Sequence, residues 1–189
     1  PPTRPDNRSN QQHTINERIV AHAEKGKNVV RLKGGDPFIY GRGGEELESV
    51  VEAGIDVIVV PGITAALGAA SYAGIPLTYR NLSQSVRFVT GHRVENAVNL
   101  DWPEMGRSEQ TLVIYMGLVG LAEILEKLIE HGCEVQRPAA LIEHATLPEQ
   151  RVIDGTVGNL AQLANEANID GPSIVVIGEV VALRPGFGS

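Results

Sequence analysis

The stretch Val29–Glu46, VVRLKGGDPFIYGRGGEE, breaks a β-branched run abruptly. Lys33 closes the run, and two glycines, an acid and a proline follow at once. A second cluster, Gly41, Gly43 and Gly44, comes just before an amphipathic segment. Paired glycines at a strand end let the backbone come close to a ligand, because no Cβ stands in the way. Asp36 carries acceptors for a ligand's hydroxyls or amine, or it orders its own turn. Pro37 fixes the direction in which the loop leaves. The same residues suit a tight strand-to-helix connection with no ligand, and the stretch alone leaves both readings open. The spacing matches neither G-x-G-x-x-G nor G-x-x-x-x-G-K-[ST], which argues against a dinucleotide fingerprint or a phosphate-cradling P-loop.

Working outward, helices and strands alternate. Ile15–Glu24 has apolar residues at helical spacing and is ended by Gly26. Val29–Leu32 reads as a strand, and Glu45–Ala53 as a helix with Gly54 past its end and two acids in its first turn, where they favour the helix dipole. The apolar run Val57–Val60 reads as a strand covered on both faces, and residues 64–73 as a helix of small side chains. This is the rhythm of a parallel sheet wrapped by helices. Polar and turn-forming residues at Pro76–Ser85 interrupt it. Beyond them the pattern predicts strands at Val86–Thr90, Leu112–Met116, Ala140–Glu143, Arg151–Asp154 and Ile174–Val181. Helices are expected at Leu121–Glu130 and Leu160–Ala167. The division this suggests is an N-terminal α/β domain over residues 1–79, a linker over 80–85 and a C-terminal α/β domain over 86–189.

Composition sets limits. The 189 residues are 42% hydrophobic, enough for a sizeable core, but only 4% aromatic, so that core is aliphatic. A formal charge of −7 argues against nucleic acid, whose phosphates need a basic face. Cys133 stands alone, cannot form an internal disulfide and fits a reducing cytoplasm as a packing residue. Val57–Tyr79 has no charged residue, but Pro61, Pro76 and three glycines break it, which argues against a membrane span. The five histidines are scattered without metal-ligand spacing, and no G-x-S-x-G elbow points to a hydrolase.

Several blocks together resemble the tetrapyrrole methylases. VVRLKGGDPFIYGRGGEELE looks like that family's signature. Val60-Pro61-Gly62-Ile63-Thr64-Ala65-Ala66, Ala73-Gly74-Ile75-Pro76-Leu77-Thr78, Ser85–His92 and Tyr115-Met116-Gly117 follow in the family's order, and Gln12–Asn16 looks like its Q-x-x-I-N. Within the family the chain is most similar to the branch that C-methylates uroporphyrinogen III. The resemblance implies a two-lobed α/β fold, each lobe a sheet flanked by helices, with the active site in the cleft between lobes. It also implies a homodimer, and the single cysteine fits a cytoplasmic setting. The family's opening strand, glycine loop and catalytic aspartate and lysine correspond to nothing here. Thr3 falls where the lysine is expected, so the chain reads as a fragment, and no catalytic residue is assigned within it.

The implied chemistry is transfer of a methyl group from S-adenosylmethionine to carbons 2 and 7 of uroporphyrinogen III. The product is precorrin-2, on the way to siroheme or cobalamin. Position by position, the resemblance assigns Gly34, Gly35, Asp36, Ile39, Thr64, Ala65, Met116 and Ala145 to the cofactor. Ala145 stands where the family has glycine. Without the resemblance, Met116 reads as a core gap-filler and Thr64 as a helix cap. The substrate's eight carboxylates call for local positive charge on an acidic chain. Arg42, Arg87 and His92 are the candidates, with Arg80 and Arg93 nearby, since a guanidinium fork suits carboxylate. Two alternatives stay open: another precorrin or related methylase of the same fold, or a non-catalytic module that binds cofactor or dimerises.

Overall fold

The computed structural model describes residues 7–91 and 100–187. The chain divides after Thr64 into two compact units.

In the first unit, α1 (Asn7–Ala23) and α2 (Gly43–Glu52) pack on each other. The contact is polar at its centre. Gln12 Nε2 donates to Glu46 Oε1 at 3.0 Å, and Asn16 Nδ2 donates to Ser49 Oγ at 2.9 Å and to the Glu45 carbonyl at 3.2 Å. Gln12 and Asn16 lie one helical turn apart, so both face α2. The expected strands at Val29–Leu32 and Val57–Val60 are not formed. Both runs lie outside regular secondary structure, and neither makes a ladder hydrogen bond among the described residues. Exposure alternates along them, 38% at Val29 against 87% at Val30, and 42% at Val57 against 90% at Ile58. The period of two is present in the sequence, but a strand exists only through a paired neighbour, and these runs have none there.

The second unit is a mixed five-stranded sheet. Its strands are β1 (Ser85–Thr90), β2 (Gln110–Tyr115), β3 (Pro138–Glu143), β4 (Arg151–Thr156) and β5 (Ser173–Ile177), in the order β1-β2-β5-β3-β4. β1 and β2 are parallel and every other pair is antiparallel. Side chains alternate across the sheet, so each face has its own core. Leu112, Ile114, Leu141, Val175 and Ile177 face α5 (Leu121–Glu130) and α6 (Leu160–Glu166). Val113, Tyr115, Ile142, Ile174 and Val176 face α3 (Ala65–Ala73) and the 3-10 turn Glu179–Leu183. Residues 65–79, expected with the first lobe, cluster with this unit, because Ala66, Ala69 and Ala73 give α3 a flat face that buries on the sheet.

Strand β5 ends at Ile177, short of the expected Val181. Gly178 turns the chain with φ 151°, and a Cβ there would lie 3.2 Å from the Gln110 carbonyl oxygen, so the backbone leaves the sheet at that residue. A short helix, α4 (Trp102–Met105), was not expected; Asp101 caps it by accepting the Glu104 N–H at 3.1 Å. Cys133 is buried just beyond α5, as its packing role requires. The last helix is α7 (Arg184–Phe187). No helix among the described residues is long and apolar enough to cross a membrane.

Candidate functional site

In the first unit, the loop that decides the sequence reading is held at three points. Lys33 Nζ meets Glu46 Oε2 at 2.8 Å, and Arg31 Nε meets Glu46 Oε1 at 3.0 Å, so the residues leading into Gly34 are pinned to α2. Burial pushes the Glu46 carboxyl up, but the bonds from Lys33, Gln12 and Arg31 outweigh it and hold it below the usual carboxylate range. Past the turn, the N–H of Gly43 donates to the Pro37 carbonyl at 2.9 Å. A Cβ on Gly41 or Gly43 would lie 2.8 or 2.4 Å from that same oxygen. Gly41 and Gly43 are therefore there for close packing on Pro37, while a Cβ on Gly44 would meet nothing within 4 Å; Tyr40 (φ 52°) and Arg42 (φ 57°) beside them are left-handed.

Asp36 joins two turns. Its Oδ1 accepts the N–H of Phe38 at 2.9 Å, and its Oδ2 accepts the N–H of Gly62 at 3.2 Å. These two backbone donors, Phe38 first, hold its carboxyl below the usual range. A Cβ on Gly62 would sit 2.2 Å from the Gly35 carbonyl oxygen, so only glycine lets the turns meet. Gly35 itself is left-handed (φ 75°), while a Cβ on Gly34 would meet nothing within 4 Å. The first unit thus brings Gly34, Gly35, Asp36 and the Gly62–Thr64 segment together, with Thr64 buried and Ile39 on the exposed side of the loop. The fork of Arg42 is occupied by Glu45, at 2.6 and 2.8 Å.

In the second unit, Met116 and Ala145 follow strands that run the same way, β2 and β3, with β5 between them. Tyr115 and Ile142 both pair with Ile174, so the two strands end at the same edge of the sheet. Helix α3 begins at that edge too: its Ala66 N–H donates to Tyr115 Oη at 3.1 Å. The topology therefore gathers Ala65, Met116 and Ala145 at one end of the sheet. Met116 is left-handed (φ 52°) and 50% exposed, which does not suit a core gap-filler. Ala145 is flanked by left-handed His144 (φ 47°) and Thr146 (φ 72°) but is not itself left-handed, so alanine stands there without strain.

Glu143, at the end of β3, is fully buried and committed to structure. It accepts from Arg151 Nε at 2.7 Å and from the N–H groups of Asp170 and Gly171 at 3.0 and 2.8 Å. Burial pushes its carboxyl up, yet the Gly171 N–H, Arg151 and the Asp170 N–H together hold it low. Arg87 lies on β1 with a buried Nη1 that has no partner among the described residues. His92 and Arg93 lie outside the described residues.

A cavity of about 450 Å³ in the second unit is at the opposite sheet end, near Arg107, Glu109, Arg137 and Glu179. Its buried cation, Arg137, already donates to the carbonyls of Gly106 and Gln110 at 2.8 and 2.6 Å. Those bonds brace the chain entering β2.

Against known proteins, the profile described as Tetrapyrrole (Corrin/Porphyrin) Methylases matches residues 1–161. The siroheme synthase of Thiobacillus denitrificans is 56% identical over 173 residues, which is 92% of this chain and 36% of that protein. The chain thus spans little more than a third of the curated relatives it matches. Among solved structures, the uroporphyrin-III-C-methyltransferase of Thermus thermophilus superposes with a TM-score of 0.82 at 38% identity, over 94% of this chain and 76% of that one. A second structure from the same organism, complexed with S-adenyl homocysteine, gives a TM-score of 0.78 at 33% identity, over 91% and 75%.

Proposed function

The chain belongs to the tetrapyrrole (corrin/porphyrin) methylase family, and from that premise we propose that it binds S-adenosylmethionine and serves the C-methylation of uroporphyrinogen III at carbons 2 and 7 in siroheme or cobalamin synthesis. The observation that carries this reading is the junction of Asp36 with Gly62, beside Gly34, where the space a Cβ would take is open. The residues present fit the cofactor. A Cβ on Gly34 would meet nothing within 4 Å, the Asp36 carboxylate keeps acceptor capacity beyond its backbone bonds, and Ile39 and the thioether of Met116 offer exposed apolar surface. Gly34, Gly35, Asp36, Ile39 and Thr64 in the first unit, and Ala65, Met116 and Ala145 in the second, are assigned to it.

When bound, the cofactor supplies an electrophilic methyl group on a sulfonium. The residues of this chain hold and orient the donor; none is assigned the proton or charge chemistry of the pyrrole. Arg42, Arg87 and His92 are assigned to substrate carboxylates. The Arg42–Glu45 pair is solvent-exposed, and such a pair exchanges partners at little cost. Homodimerisation and a cytoplasmic setting complete the proposal, on the strength of the family resemblance and the single cysteine.

Isothermal titration with S-adenosylhomocysteine tests the binding. A one-to-one complex that Asp36→Ala abolishes supports it, and no heat of binding from a folded chain overturns it. Transfer of labelled methyl to uroporphyrinogen III by a protein carrying this chain tests the substrate; labelling only of another precorrin would reassign it.

A further inference from the structure

Gln150 bridges two walls of the sheet end that carries Ala65, Met116 and Ala145. Its Oε1 accepts the N–H of Thr146 at 2.8 Å, and its Nε2 donates to the carbonyl of Tyr72, in the last turn of α3, at 3.3 Å. The loop it braces is held in an unusual shape. His144 and Thr146 are both left-handed, a conformation that a β-branched residue such as Thr146 resists unless its surroundings hold it. Its closing bonds are few: Leu147 N–H to the His144 carbonyl at 3.1 Å and Gln150 N–H to the Leu147 carbonyl at 3.0 Å. Thr146 also rests on α3, since a Cβ at Gly68 would lie 3.4 Å from its Cγ2. Beside the packing of Ala145 and Thr146 on the core that α3 helps form, residue 150 ties the Ala145 loop to α3 by hydrogen bonds, accepting from the loop and donating to the helix.

We propose that Gln150 is a positioning residue that sets Ala145 against α3, and with it the geometry in which the adenosyl group is gripped. This rests on the assignment of Ala65 and Ala145 to the cofactor. The bridge is made by an amide, which donates and accepts at once; a carboxylate only accepts, and a carboxylic acid does both. That difference gives a readout that simple loss of packing does not.

The test is the affinity for S-adenosylhomocysteine of the parent chain, Gln150→Ala and Gln150→Glu, measured by calorimetry between pH 7.5 and pH 4, a range that spans the ordinary glutamate value of about 4.3. At pH 7.5 both variants bind about tenfold more weakly, as expected for lost hydrogen bonds. As the pH falls toward 4, Gln150→Glu takes up a proton, regains its donor to Tyr72 and recovers affinity, whereas Gln150→Ala does not. The other titratable groups beside residue 150 on the loop, on β4 and on α3 are His144, Glu149, Arg151 and Tyr72. They are common to all three proteins, so the slope of Gln150→Ala is the baseline. A parent that binds while both variants bind equally well overturns the proposal and leaves the cofactor assignment standing. A Gln150→Glu slope equal to that of Gln150→Ala also overturns it. A parent that fails to bind overturns the assignment itself, and the proposal with it.

Discussion

The N–H of Gly62 donates to Oδ2 of Asp36 at 3.2 Å, across 26 residues of sequence. The bond closes two turns on each other, and it does so only because residue 62 has no side chain to meet the Gly35 carbonyl. Gly62→Ala forces that carbonyl aside. The expected cost is about 1–3 kcal/mol of stability, together with weakened S-adenosylhomocysteine binding. Thermal denaturation and calorimetry on the same sample measure both.

Asp36 sets a pH limit. Its carboxyl lies below the ordinary value because the Phe38 and Gly62 N–H groups bond the charged form. A lowered folded-state pKa means the ionised turn is favoured above the unfolded-state value of about 3.9, and the advantage is lost as pH falls through the lower folded value. Cofactor affinity that depends on Asp36 is therefore flat from pH 8 to pH 5 and falls below about pH 4. A loss centred near pH 6 in the parent chain would count against this role.

Met116 separates ligand contact from packing. A buried methionine cut to alanine costs about 2–5 kcal/mol. Met116 is half exposed, so Met116→Ala should change stability by less than about 0.5 kcal/mol while weakening S-adenosylhomocysteine binding. Equal affinity in variant and parent would remove Met116 from the site.

Glu46 should govern the order of the loop from a distance. It accepts from Lys33, Arg31 and Gln12 with its side chain only 8% exposed. Glu46→Ala leaves Lys33, itself 12% exposed, without its counter-charge, at an expected cost of about 2–3 kcal/mol. Because the folded-state pKa is lowered, the parent's advantage over the variant is complete above about pH 4.5 and shrinks below it. Amide hydrogen exchange at residues 31–46 reads the effect where it arises.

What could be read from the sequence followed the physics of each element. Where one segment supplies its own hydrogen bonds or a strand has a partner within the chain, as in α5 and β3, periodicity sufficed. Val29–Leu32 and Val57–Val60 carried the strand pattern without a partner among the described residues, and a pattern cannot announce that. The Gly34–Asp36 turn was legible as a ligand loop or a tight connection, and its bond to Gly62 shows how it is held. Gly41 and Gly43 of the second glycine cluster turned out to be a steric requirement around the Pro37 carbonyl, and Gly44 did not. Glu46 was read as a helix-dipole acid, although the Gln12–Asn16 block held the signal that something polar faced it. Gln150 and Tyr115 gave no local sign of their roles, because their partners lie 78 and 49 residues away.

The most direct measurement is a residue-resolved amide NMR titration of the chain with S-adenosylhomocysteine. If the two turns hold the adenosyl group, the signals of Gly34, Gly35, Asp36 and the Gly62–Thr64 segment move together with a single saturation curve. Shifts confined to one turn, or to the Arg107–Arg137 cavity at the far end of the sheet, would contradict it.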